Sequence, residues 1–142
     1  MAGAYRAAEH TADLALEVEA DSLEELFEYA ARGMFDLIRG DAPPPEAPGL
    51  PTWRPIAFRA ADRESLLVAW LSELLYVHAA EGLWLAGIRG LEVAPDELRA
   101  EVGWTPLGSA EVDRELKGVT YHDLAVERRP DGRWHARIVF DV

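Results

Sequence analysis

The sequence contains no cysteine. Disulfides, thiolate metal ligands and cysteine nucleophiles are therefore excluded. Lysine is almost as scarce: thirteen of the 14 basic residues are arginine, and Lys117 is the one exception. A lone lysine carries weight, because a compact ammonium on a flexible stem does work that a planar guanidinium cannot. No apolar run approaches the roughly 18 residues a membrane span needs. No basic segment followed by an apolar stretch opens the chain, so no signal peptide is expected, and the protein is expected to be cytoplasmic. Catalytic signatures are missing too: there is no G-x-S-x-G elbow, Walker loop, Rossmann glycine pattern or H-E-x-x-H. Positive charge is in deficit, with 26 acids against 14 bases and a formal net charge of −12. Such a surface repels phosphate backbones and anionic lipid, so neither direct nucleic-acid binding nor membrane binding is expected.

What remains is a chain of 142 residues, 49% hydrophobic and 28% charged. That is the make-up of a single globular domain, 1–142, long enough to bury roughly 70% of the surface its unfolded form exposes. Tyr5–Glu9 and Leu14–Glu19 read as strands, the second alternating apolar and polar. Ser22 and Glu25 stand at capping-box spacing. Leu23, Leu26, Phe27, Ala30, Met34, Phe35 and Ile38 then fall on one helical stripe, which predicts a helix over 22–39 ending at Gly40. Residues 41–51 hold five of the nine prolines and form a loop. Thr52–Ala60 reads as a strand at a sheet edge, because Pro55 lacks the amide a central strand needs. A second helix over 62–80 has a wide apolar stripe, from Leu66 to Val77. Ser22 and Ser65 are helix starters on this reading. Leu83–Val93, Glu97–Trp104, Leu116–Glu127 and Arg133–Asp141 complete the strands. The fold class is α+β: a mixed or mostly antiparallel sheet packed on two main helices.

His10-Thr11-Ala12-Asp13 lies between the first two strands. Asp13 opens the second strand on the side away from Leu14, Leu16 and Val18. Asp141 closes the last strand on the side away from Trp134, Ala136, Ile138 and Phe140. If those strands are neighbours, Asp13, Asp141 and the carboxylate of Val142 converge. An all-oxygen cluster suits a hard divalent cation. Two solvated acids at strand ends would give the same pattern, and the pattern alone leaves both open. Lys117-Gly118-Val119-Thr120-Tyr121-His122 is the second stretch of interest. Lys117 can meet an anionic partner or be a solvated strand charge. His122 can be a base, a ligand or a structural histidine.

These stretches resemble the archease family nearly end to end. The likeness runs through His10-Thr11-Ala12-Asp13, Ser22-Leu23-Glu24-Glu25-Leu26-Phe27, Ala30–Asp36, Leu66–Tyr76, Lys117–His122 and Val139-Phe140-Asp141-Val142. The resemblance implies a small α+β protein that assists the GTP-dependent RNA ligase of the RtcB type in tRNA splicing and RNA repair. It implies promotion of ligase guanylylation and turnover, without catalysis by this chain. The family's metal ligands fall on Asp13, Asp141 and Val142, with calcium as the ion. Its activating lysine falls on Lys117, with His10 and His122 beside it in the partner-facing motifs. The chain departs from the family pattern at Gly103-Trp104, where Gly-Glu is usual, and at Lys117-Gly118, where Lys-Ala is usual. A general chaperone for RNA-modifying enzymes such as methyltransferases is the alternative. A metal-dependent hydrolase is a third class, disfavoured by the missing nucleophile.

Overall fold

The computed structural model describes residues 3–9, 13–43, 45, 49–107 and 112–142, and the side chains of these except Ala8, Glu9 and Asp13. In chain order the elements are β1 (Ala4–Glu9), β2 (Asp13–Ala20), α1 (Leu23–Arg39), β3 (Thr52–Arg59), α2 (Arg63–Glu81), β4 (Leu83–Val93), β5 (Glu97–Pro106), β6 (Gly118–Val119), β7 (Ala125–Arg128) and β8 (Trp134–Asp141).

The helices begin where polar side chains can satisfy their first amides. The Ser22 hydroxyl accepts from the Glu25 amide at 3.1 Å, and the Glu25 carboxylate accepts from the Asp21 amide at 3.1 Å. This is a capping box whose return bond has moved one residue outward. At α2 the cap is Asp62, which accepts from the Ser65 amide at 2.8 Å. Ser65 is thus inside the first turn rather than its starter, because the carboxylate three residues earlier already holds its amide. Gly40 and Gly82 end the two helices with positive φ, as a C-terminal glycine does.

All strand pairs are antiparallel, and they form two sheets rather than the one expected. The larger runs β1-β2-β8-β6, with β7 also on β8; the smaller runs β3-β5-β4. Pro55 is on β3, an edge strand as expected. Each helix touches both sheets. α1 packs on β1, β2, β8 and β4, while α2 packs on β3, β4, β6 and β7. The wide apolar stripe of α2, from Leu66 to Val77, is buried in these contacts and against α1. Trp70, Phe27, Leu71, Leu74, Leu16, Ile138 and Phe140 join one core cluster. The buried Trp70 indole donates to the Phe27 carbonyl at 3.0 Å and ties α2 to α1.

The expected strand over 116–127 is broken. Val119 faces Phe140 and Ala125 faces Arg137, so six residues on one side span three on the other. The surplus is taken up in a turn closed by the Leu124 amide on the Tyr121 carbonyl, with Asp123 at φ 52°. Asp tolerates that left-handed conformation better than most residues.

Gly33 lets α1 approach the larger sheet: a Cβ there would come within 2.7 Å of Leu16 Cδ2 and 2.9 Å of Tyr5 Cδ1. Tyr5 lies over this helix and its hydroxyl donates to the Asp36 carboxylate. Burial first, and then the Asp36 contact, push its phenol up to about 12. The neutral form is thus favoured by folding. The stabilisation should be complete below the ordinary tyrosine value near 10 and should be lost as pH rises through about 12. Tyrosinate absorbance should show a step near 12 that Tyr5→Phe removes. Trp70→Phe should cost about 2 kcal/mol, from a lost buried hydrogen bond and lost ring area. Urea unfolding should show a lower midpoint with an unchanged slope.

Candidate functional site

β2 and β8 pair in a single unbroken register, from Asp13↔Asp141 to Ala20↔Trp134. Leu14↔Phe140 and Leu16↔Ile138 turn towards α1, so the intervening pairs belong to the opposite, outward face. That face runs from Glu19↔His135 through Glu17↔Arg137 and Ala15↔Val139 to Asp13↔Asp141. Two positions bearing acids therefore sit directly across the ladder, where residues are only about 4.5–5.5 Å apart. Val142 follows, 44% exposed.

The other flank of Asp141 belongs to the lysine segment. The Lys117 amide donates to the Asp141 carbonyl at 2.8 Å, and Gly118 is opposite Asp141 in the β6–β8 register. One row of the sheet thus reads Asp13, Asp141, Gly118, with Lys117 and Val142 adjoining. Sequence reasoning grouped Asp13, Asp141 and Val142 and left Lys117 in a separate stretch; the fold brings Lys117 to the same sheet end. His10 lies outside the described residues. His122 sits in the turn after β6, 66% exposed, with its ring 3.2 Å from the Asp123 carboxylate. Its amide bonds the Thr120 hydroxyl at 3.2 Å. Among the described residues no contact joins His122 to Asp141 or Lys117.

The donor set fits a hard divalent cation. Asp13, Asp141 and Val142 offer only oxygen, and Asp141 is exposed with no ion pair to any described basic side chain. Among the described residues no three His, Asp or Glu side chains converge into a rival cluster. The opposite end of the same face is already neutralised. Glu17 pairs with Arg6 and with Arg137 at 3.7 Å, and the His135 ring lies 3.9 Å away. Burial, helped by Arg129, holds the His135 imidazole below its ordinary value despite the nearby Glu17, Glu19 and Glu127.

Of the two departures from the family pattern, the structure accounts for Trp104 and gives no reason for Gly118. Trp104 is 3% exposed and packs against the Phe35 ring, 6.1 Å between centroids. It is core, in the smaller sheet, opposite Thr52 and Leu85. Gly118 has ordinary negative φ, and a Cβ there would be 3.8 Å from Asp141 Oδ2, a normal contact. The segment before Lys117 was not legible as part of the site. Residues 112–116 carry no motif, yet they determine where Lys117 begins.

The model of the archease protein family matches residues 5–142. The chain is 37% identical over 144 residues to the protein archease of Pyrococcus abyssi, covering 94% of this chain and 95% of that one. It is 38% identical over 145 residues to that of Methanopyrus kandleri, covering 94% and 96%. The solution structure of Methanobacterium thermoautotrophicum protein 1598 matches with a TM-score of 0.68 at 28% identity, covering 97% of this chain and 98% of that one. A Thermotoga maritima crystal structure, described as an archease and possible chaperone, shares the fold with a TM-score of 0.61 at 24% identity, covering 96% of both chains. No helix among the described residues is long and apolar enough to cross a membrane.

Gly118→Ala should be accepted without rearrangement. It should stabilise by about 0.5 kcal/mol through reduced freedom of the unfolded chain. A drop in the urea midpoint instead would show that the β6–β8 contact is tighter than these distances imply.

Proposed function

The chain belongs to the archease family, and from that premise we propose that it is a non-catalytic activator of a GTP-dependent RNA ligase of the RtcB type, acting in tRNA splicing and RNA repair. The reading is supported by one observation above all. A two-acid row at positions 13 and 141 is flanked by the chain's one lysine. In this reading Asp13, Asp141 and Val142 hold a divalent cation, calcium, which supplies positive charge and Lewis acidity when bound. The ligase partner is a protein, and its guanylylation and repeated turnover are the steps promoted.

The residues of this chain contribute position and charge. β2 and β8 hold the acids on a rigid sheet end rather than a loop. Lys117 is anchored there through its backbone, so its ammonium starts from a fixed root and can reach an anion outside the fold. Positive charge aimed at a nucleotidyl transfer stabilises the negative charge that develops on the phosphate. The acidic remainder of the surface suits a basic mouth on the ligase and would speed association at low salt.

In multiple-turnover ligation with the same organism's ligase, the wild-type chain should raise turnover. Asp141→Asn and Lys117→Ala should each remove most of that gain, roughly tenfold or more. Full stimulation by Asp141→Asn would overturn the reading.

A general chaperone role for RNA-modifying enzymes is the second reading, favoured by the description of the Thermotoga maritima protein as a possible chaperone. It requires that partner solubility rises with Asp141→Asn as much as with the wild type.

A further inference from the structure

The last carbonyls of an α-helix have no partner within the helix. In α1 all four are met, three of them by a segment more than 70 residues away in sequence. The Asp36 carbonyl accepts from the Gly40 amide at 3.0 Å. The Leu37 carbonyl accepts from the Arg114 guanidinium at 2.9 Å. The Ile38 carbonyl accepts from the Arg114 amide at 3.1 Å. The Arg39 carbonyl accepts from the Asp113 amide at 3.4 Å and the Ala42 amide at 3.1 Å. The Asp113 carboxylate in turn accepts from the Asp41 amide at 2.6 Å. Gly40 makes room for this seat, since a Cβ there would be 2.7 Å from Asp113 Cβ.

Arg114 is the centre of the arrangement. Its backbone and its side chain bond successive carbonyls, and its positive charge lies at the negative end of the helix dipole. Two residues later Leu116 is 4% exposed within the core. The next residue is Lys117, whose amide is held by Asp141. Residues 113–117 are thus a short strap pinned at one end to α1 and at the other to β8.

We infer that Arg114 is a positioning residue for Lys117: by seating the strap on the C-terminal end of α1 it fixes the lysine beside Asp141. The activity arm of this inference rests on the activator reading; the structural arm does not. Among the described residues no contact joins Arg114 to Asp141. β2–β8 pairing builds the acidic row without it, so its loss should spare cation binding and change where the lysine is presented.

The test uses full-length Arg114→Ala, Arg114→Lys and wild-type proteins. Amide hydrogen exchange should be at least tenfold faster at Lys117 in Arg114→Ala, while the Leu71 amide in α2 changes less. In multiple-turnover ligation, maximal stimulation by Arg114→Ala should fall at least fivefold. The protein concentration giving half of that maximum should stay within twofold, and so should calcium affinity measured by calorimetry. Arg114→Lys should recover at least half of the stimulation, because it restores a cationic donor at the helix end. If Arg114→Ala does not fold, Asp113→Ala, which removes only the Asp41 anchor, should show the same pattern at smaller size. Unchanged exchange at Lys117 overturns the inference whether or not the ligase responds. Full stimulation by Arg114→Ala beside a stimulating wild type also overturns it. If the wild type itself does not stimulate while Lys117 exchange rises as expected, the activator reading fails and the positioning role stands.

Discussion

The register between β2 and β8 is the constraint on which the rest depends. A slip of one residue would turn the core-facing residues of one strand, either Leu16 and Val18 or Ile138 and Phe140, all at most 1% exposed, away from the core. At about 1.5–3 kcal/mol for each large side chain, that slip would cost about 3–6 kcal/mol. Two like charges at the roughly 5 Å spacing of facing ladder positions would repel by only about 1–3 kcal/mol in a largely aqueous setting. The core therefore overrides the repulsion. It puts Asp13 opposite Asp141 whether or not anything lies between them. On the proposed reading, a cation site would be a by-product of the packing on the other face: the same alternation that fills the core places positions 13 and 141 opposite each other, and a divalent ion would relieve what the core imposes.

The helices act as spacers between the two sheets, and their ends do as much as their sides. Glu24, in the first turn of α1, accepts from the Val93 amide at 3.0 Å, and Glu64, in the first turn of α2, accepts from the Val126 amide at 3.4 Å. One carboxylate reaches the smaller sheet and the other reaches β7. At the far end of α1 the relation is reversed, and the chain segment before Lys117 supplies the donors. Polar groups at helix ends thus couple elements that the hydrophobic cluster alone would leave free to slide.

Much of this was legible beforehand. Ser22 with Glu25 and the 3.6-residue spacing of the apolar side chains marked α1 closely, because local capping and a one-sided stripe agree there. Pro55 marked an edge strand for a covalent reason. The faces of Asp13 and Asp141 followed from period-two alternation. What could not be read was non-local. Nothing in the sequence says that the strands divide into two sheets, since either arrangement uses the same alternation. The break at residues 120–124 depends on how far β8 extends opposite it. Arg114 looked like any other arginine, because a helix carbonyl 77 residues away leaves no mark on its neighbours. Trp104 departs from the family pattern and is core, which a single sequence does not show.

The proposed activation depends on the β2–β8 end binding a divalent cation. Backbone amide spectra recorded during titration with calcium test it most directly. Saturable shifts concentrated at Asp13, Asp141 and Val142, with Lys117 and Gly118 following through the β6–β8 ladder, are the expected result. They should be abolished by Asp141→Asn. Shifts that do not saturate, or that persist unchanged in Asp141→Asn, would contradict the account.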